Sequence, residues 1–135
     1  MSRFLLDTSA LLALRNNEPG AQRVNDLLLA SASGTATVYV CFMSLMEVLY
    51  RVWKDEGENA GRLAYAQCQT LPMTWLRESP APLESAAGFK ACHLLSLADA
   101  WIAATALQCD ATLVHKDPEF QSIRALIEQE KLPYR

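Results

Sequence analysis

Four acids in this sequence stand where carboxylates do chemistry: Asp7, Glu47, Asp99 and Asp117. Asp7 closes the apolar run FLL, and Asp117 follows shortly after the apolar run TLV. Glu47 is the only charge between Thr37 and Tyr50, and Asp99 opens the apolar segment AWIAATAL. Carboxylates brought together repel, and some take up protons unless a cation neutralises them. Hard Mg2+ or Mn2+ prefers oxygen ligands and keeps several waters. A cation held this way lowers the pKa of bound water, orients a phosphate and stabilises a leaving oxygen; where two ions share a site they lie about 3.5–4 Å apart. The chemistry within reach of these acids is metal-assisted activation of water beside a phosphate, with one or two ions per site.

Each acid also has a structural alternative. Asp7 can cap a helix beginning at Ser9. Glu47 can pair with Arg51 one turn on. Asp99 stands three residues after Ser96, the spacing of a capping box. Asp117-Pro118 is a turn-starting dipeptide. Taken singly these alternatives stand; the joint placement of the four favours a shared site.

The elements that would position them alternate in period. Residues 3–6, 37–42, 73–76 and 112–114 read as strands, and 9–15, 21–32 and 58–70 as helices. A further helix follows Ser44 as N-cap to about residue 56, another opens at Pro80, and Ser96 caps one over 97–109. Residues 121–131 read as a last long helix, with at most a stub of strand after it. Strands separated by helices imply right-handed crossovers and a parallel sheet covered on both faces. In such sheets the chemistry sits beyond the carboxyl ends of the strands, where strand order reverses. Asp7 and Asp117 fall at strand ends, and Glu47 and Asp99 in first turns of helices facing the same edge.

The totals bound this reading. A chain of 135 residues suits one domain over 1–135, and 51% hydrophobic with 20% charged residues is an ordinary globular balance. A net charge of −3 argues against broad electrostatic capture of nucleic acid, so an anionic substrate needs the cation. Cys41, Cys68, Cys92 and Cys109 form no C-x-x-C pair or zinc spacing and read as scattered thiols. Asp7 interrupts any signal-peptide run, and the uncharged stretch 27–46 is broken by SASGTAT, so the expectation is a cytoplasmic protein with no membrane span. Phosphate-loop and dinucleotide glycine patterns are absent. A haloacid-dehalogenase-type phosphatase would need an Asp where Ser9 stands, a receiver domain would need adjacent acids near the first strand, and His93 and His115 form no triad pattern.

FLLDTSALLAL, SLMEVLYR, LSLADAWIAATAL and ATLVHKDPEF resemble, in order and spacing, the four motifs of the PIN-domain family, over residues 3 to about 120. The segments are most similar to the compact VapC-type toxin ribonucleases of bacterial and archaeal type II toxin–antitoxin pairs. The resemblance implies a three-layer α/β/α sandwich on a parallel sheet of four to five strands, order 3-2-1-4-5. It implies a Mg2+- or Mn2+-dependent endoribonuclease with Asp7, Glu47, Asp99 and Asp117 as catalytic and metal-binding acids. Thr8 or Ser9 would supply a hydroxyl near the metal, and Glu119 a water-mediated ligand. A homodimer and a small antitoxin that blocks the site are implied with it. His115 and Lys116, with Lys90, are candidate substrate contacts against the alternative of structural or solvated groups; Arg51 and Lys54 could line a groove in a dimer. Trp53 and Trp101 sit at core-facing helical spacing, so burial is expected of them rather than base stacking. The sequence departs from the family at the weakly patterned PMTWLR and at the short C-terminus, where strand five is expected to be vestigial or absent. The rival readings are an RNA-processing nuclease outside a toxin system and a silent RNA- or protein-binding module, the latter opposed by the presence of all four acids.

Overall fold

The central strands are apolar on both faces, and that dictates the layers. Consecutive residues of a strand point to opposite sides of a sheet, and in this chain both sides are covered. The computed structural model describes residues 1–134. In chain order it has β1 (Ser2–Leu6), α1 (Thr8–Arg15), α2 (Ala21–Ala32), β2 (Ala36–Cys41), α3 (Phe42–Glu56), α4 (Glu58–Cys68) and β3 (Thr74–Leu76). α5 (Pro80–Cys92), α6 (Leu97–Gln108), β4 (Thr112–His115), a 3₁₀ segment (Pro118–Ile123) and β5 (Gln129–Lys131) follow. Leu5 and Leu113 enter one core with Phe89 of α5, Ile102 of α6, and Phe120 and Ile123 of the 3₁₀ segment. Leu6 and Val114 enter the other with Leu11 of α1, Val24 of α2, Val48 of α3 and Ala64 of α4.

The sheet is parallel throughout, in the order β3-β2-β1-β4-β5. This is the expected three-layer α/β/α arrangement, with all five strands formed. The chain leaves β1 toward β2 and β3, then crosses back to lay β4 on the other side of β1. The reversal therefore falls between β1 and β4, where Leu6 pairs with Val114 and the Asp7 amide donates to the Val114 carbonyl at 3.0 Å. α6 is packed by small residues: Ala100, Ala103, Ala104 and Ala106 are all buried, so this helix lies close to the sheet. α3 and α4 also approach closely. A Cβ on Gly61 would stand 2.8 Å from the Leu49 carbonyl oxygen and 2.9 Å from the Trp53 amide nitrogen, so only glycine fits there.

Several expectations need correction. Residues 121–131 do not form a long helix: a 3₁₀ segment and a turn lead into β5, Gln129–Lys131. Phe120, Ile123 and Ile127 have helical spacing, but they pin an irregular segment onto the α6 side of the sheet. Strand five is thus short but present, and it lies before the C-terminal tetrapeptide expected to carry it. α3 starts at Phe42 with Cys41 as N-cap, so Ser44 lies inside the first turn and is not the cap. Trp53 is 41% exposed, with the Arg62 guanidinium 5.3 Å from its ring centre, contrary to the burial expected from its spacing. Trp101 packs edge-on against Phe42 at 5.1 Å, beside the core. All four cysteines are free thiols, and none of the helices among the described residues is long and apolar enough to cross a membrane.

Candidate active site

Asp7 leaves β1 in extended conformation and caps α1. Its Oδ2 accepts from the Ser9 amide at 3.0 Å and from the Ser9 hydroxyl. The capping alternative is therefore correct, yet it uses only one oxygen. Asp7 is 2% exposed, and its Oδ1 is buried without a hydrogen-bond partner among the described residues. A buried carboxylate oxygen with no donor is costly to keep charged. The Ser9 hydroxyl also accepts from the Lys116 amide at 3.0 Å, which ties the end of β1 to the end of β4.

Glu47 approaches from the first turns of α3. The fully buried Thr8 hydroxyl donates to Glu47 Oε1 at 2.6 Å and lies 3.0 Å from the hydroxyl of Ser44, itself fully buried. The alternative partner, Arg51, makes no salt bridge to Glu47 among the described residues. Ser44 is a site residue that the sequence hid. Its signal was its place three residues before Glu47, on the same helix face.

Asp99 makes half of a capping box. Its amide donates to Ser96 Oγ at 3.1 Å, but the Ser96 amide donates to Glu119 Oε1 at 2.6 Å. An acid from another element completes the cap and leaves the Asp99 carboxylate for the pocket. Asp117 caps the 3₁₀ segment: its Oδ1 accepts from the Glu119 amide at 3.0 Å. Ligand oxygens of Asp99, Asp117 and Glu119 all lie within 4.8 Å of one another.

The charges act on one another across the pocket. Burial pushes Asp7 up to about 6; the Ser9 hydrogen bonds oppose this, and the charges of Glu47 and Asp117 add to it. Burial likewise pushes Asp99 up to about 9, helped by the charge of Asp7, the hydrogen bond with Glu119 and the charge of Asp117. This is the conflict that a divalent cation resolves. Carboxylate oxygens suit a hard cation; among the described residues those close enough to share one ion are on Asp99, Asp117 and Glu119, and Asp7 with its orphaned Oδ1 stands outside that group.

A family model for the PIN domain matches residues 4–126, most of the chain. This chain belongs to the PIN domain family. No curated protein sequence matches it. Among solved structures it is similar to VapBC2 from Rickettsia felis bound to a DNA fragment from their promoter, with TM-score 0.77 and 18% identity over 97% of this chain and 99% of that one. It is similar also to DNA-bound VapBC from Salmonella typhimurium, with TM-score 0.75 and 17% identity over 97% of this chain and 98% of that one. VapC20 from Mycobacterium tuberculosis, titled a sarcin-ricin loop cleaving toxin, matches with TM-score 0.69 and 19% identity over 87% of this chain and 92% of that one. At these identities the likeness establishes the shared fold.

In this PIN domain two of the expected acids, Asp99 and Asp117, cluster with Glu119, while Asp7 stands beside them and feels the charges of Glu47 and Asp117; the expected substrate contacts have partners elsewhere. His115 is 2% exposed, and both ring nitrogens are engaged, Nδ1 by the Asp117 amide at 3.1 Å and Nε2 by Gln129 Oε1 at 2.8 Å. Burial lowers its pKa, so it is held neutral and unavailable to a ligand. Lys116 directs its ammonium to Glu18 at 3.3 Å and the Pro19 carbonyl at 3.0 Å, and Lys90 directs its own to the Leu95 carbonyl at 2.8 Å. All three have hydrogen-bond partners within the chain. Beside the acids a cleft of about 360 Å³ is lined by Ser9, Arg15, Arg51, Glu56 and Lys116 among others. Arg15 is held there by Glu56 at 2.7 Å.

Proposed function

We propose that this PIN domain is a metal-dependent endoribonuclease that hydrolyses RNA phosphodiester bonds. One observation carries the reading: a fully buried carboxylate, Asp7, keeps one oxygen without a donor while facing other acids that raise its pKa. Asp7, Asp99 and Asp117 would hold Mg2+ or Mn2+, one or two ions per site, with Glu47 at the border of the pocket. When bound, such a cation supplies a lowered pKa to water and offsets charge on a phosphate. The chain's own residues do the positioning. Ser9 fixes the rotamer of Asp7 and joins it to the β4 end. Thr8 aims Glu47 by a 2.6 Å hydrogen bond, and Ser96 with Glu119 fixes the first turn that carries Asp99. Only the ionised forms of Asp7 and Asp99 would serve as ligands, so holding a cation would require each to be deprotonated.

The toxin role belongs to the same proposal. Two of the similar structures are VapBC bound to DNA, and another, VapC20, is described as a sarcin-ricin loop cleaving toxin. We therefore read the chain as the toxin of a VapBC-type pair, a cytoplasmic homodimer whose small antitoxin covers the acid pocket. The test is RNA cleavage by the purified chain with Mn2+ or Mg2+ beside an Asp7→Asn variant. The expected outcome is a loss of at least about a hundredfold in the variant, as for removal of a group at the reacting centre. Equal cleavage by both would reject the site. Absence of cleavage by the unaltered chain on any RNA would turn the reading to a silent binding module.

A further inference from the structure

Asp117 sits in a turn whose position has to be set by something other than the acids, since they repel one another. The turn's backbone shows what sets it. The Asp117 amide donates to His115 Nδ1 at 3.1 Å, so that nitrogen carries a lone pair and the ring hydrogen resides on Nε2. Nε2 lies 2.8 Å from Gln129 Oε1, which must then be the acceptor. With that oxygen engaged, the Gln129 amide turns its NH2 to the Phe120 carbonyl at 3.0 Å. One half-buried side chain of β5 thus grips both ends of the segment from Asp117 to Phe120. The ring it holds is itself packed against Phe120, 4.9 Å between centres.

We propose that Gln129 is a positioning residue for Asp117, acting through the His115 imidazole. The donor and acceptor roles along the chain admit one tautomer and one amide orientation, so the network has no second arrangement that keeps every bond. Other side-chain ties hold the neighbours of Asp117: the Lys116 amide donates to Ser9 Oγ, the Lys116 ammonium to Glu18 and the Pro19 carbonyl, and the Ser96 amide to Glu119 Oε1, but none of these reaches the Asp117 amide. Gln129 reaches the turn from the far edge of the sheet, behind the pocket, where β5 pairs with β4. The inference deepens the metal-site reading and rests on it only for the consequence, which is that Asp117 presents its carboxylate at a fixed place.

The experiment replaces Gln129 by Met, which keeps the length of the side chain and removes both hydrogen-bonding groups. Mn2+ affinity is measured by titration calorimetry on the full chain, and RNA cleavage in parallel. Removal of a partner that orients a ligand through another group weakens metal binding or activity by roughly 10–100-fold. The expected result is a loss near the lower end in Mn2+ affinity and kcat, with KM for RNA changed less than about twofold. His115→Phe should cause a similar loss, and adding Gln129→Met to it should cost nothing more, because the path is already cut. Wild-type Mn2+ affinity in Gln129→Met, or losses that multiply in the double variant, would overturn the proposal. A measurement on the unaltered chain guards against a variant that fails to fold. Nitrogen chemical shifts of His115 should show hydrogen on Nε2 and none on Nδ1, and the opposite tautomer would overturn the link. Were the unaltered chain to bind no Mn2+, the metal reading would fall, while the tautomer and the Asp117 amide resonance would still decide the link.

Discussion

The two halves of the acid pocket are built by different means. The Asp7 half is part of the core: Asp7, Thr8 and Ser44 are almost wholly buried, and side-chain hydroxyls hold both acids in place. The Asp117 half is a turn on the surface, shaped by a 3₁₀ segment and held by backbone amides. The first half gains precision from packing but carries a desolvation penalty that lifts Asp7 to about 6. The second half stays partly hydrated, and its geometry depends on ties from outside. Burial lifts Asp99 further, to about 9, and the charges of Asp7 and Asp117, one from each half, add to it.

The comparison can be broken first at the acids. Asp117→Asn should cost activity by a hundredfold or more, as Asp7→Asn does, yet the two should differ in stability. In cation-free buffer near pH 8, Asp7→Asn keeps a capping oxygen and removes a buried charge, so its melting temperature should equal or exceed that of the unaltered chain. Asp117→Asn relieves less burial, so its melting temperature should rise less. Calorimetric scans check this, and a clear fall for Asp7→Asn would mean that its charge is satisfied by something unseen.

Next in size is a change at Thr8. Thr8→Val keeps shape and removes the hydroxyl that aims Glu47. Activity should fall roughly tenfold, with Mn2+ affinity affected less, since Glu47 borders the pocket. Equal activity would remove Glu47 from the account.

The pH dependence follows from the raised acids. A carboxyl whose pKa is higher folded than unfolded binds more protons in the folded state, so stability falls as pH rises through the interval between the two values. For Asp7 that interval runs from the ordinary carboxylate value up to about 6, and for Asp99 up to about 9. The stabilising contribution is complete below about pH 4 and is lost by about pH 9. Melting temperature without cation should therefore drop by several degrees across this range, and saturating Mg2+ should cancel most of the drop. In Asp7→Asn the drop below pH 6 should become shallower, because Asp99 alone then contributes there. A drop insensitive to Mg2+ would separate the acids from the cation.

The smallest expected effect is at Glu119, which caps Asp99's helix from the exposed side. Glu119→Ala removes an N-cap acceptor and should cost about 1 kcal/mol in denaturant unfolding. Glu119→Gln keeps a carbonyl acceptor for the Ser96 amide and should recover most of that.

Much of this arrangement was legible in the residues. The helix at Ala21–Ala32 is where its periodicity put it, and the strand-ending acids Asp7 and Asp117 meet because apolar runs on both sides of a parallel sheet admit little else. The structural alternatives for Asp7 and Asp117 also proved real, because a carboxylate has two oxygens and an amide cap needs one; at Asp99 the carboxylate's place in the capping box is taken by Glu119. What could not be read was the segment after Pro118. Phe120, Ile123 and Ile127 imitate a helical stripe, and QEK at the sheet edge has no apolar alternation to mark it as a strand. Gln129 and its link to His115 were hidden with it. Trp53 misled for a related reason: its spacing fits the core face, but Gly61 brings α4 so close that the ring is displaced outward beneath Arg62.

The most direct test is a crystal of the unaltered chain grown with Mn2+, with anomalous scattering measured at the manganese edge. Strong density is expected at bonding distance from Asp7 Oδ1 and from the Asp99 or Asp117 carboxylate. Density confined to surface acids, with Asp7 Oδ1 still bare, would contradict the claim that this pocket exists to hold a cation.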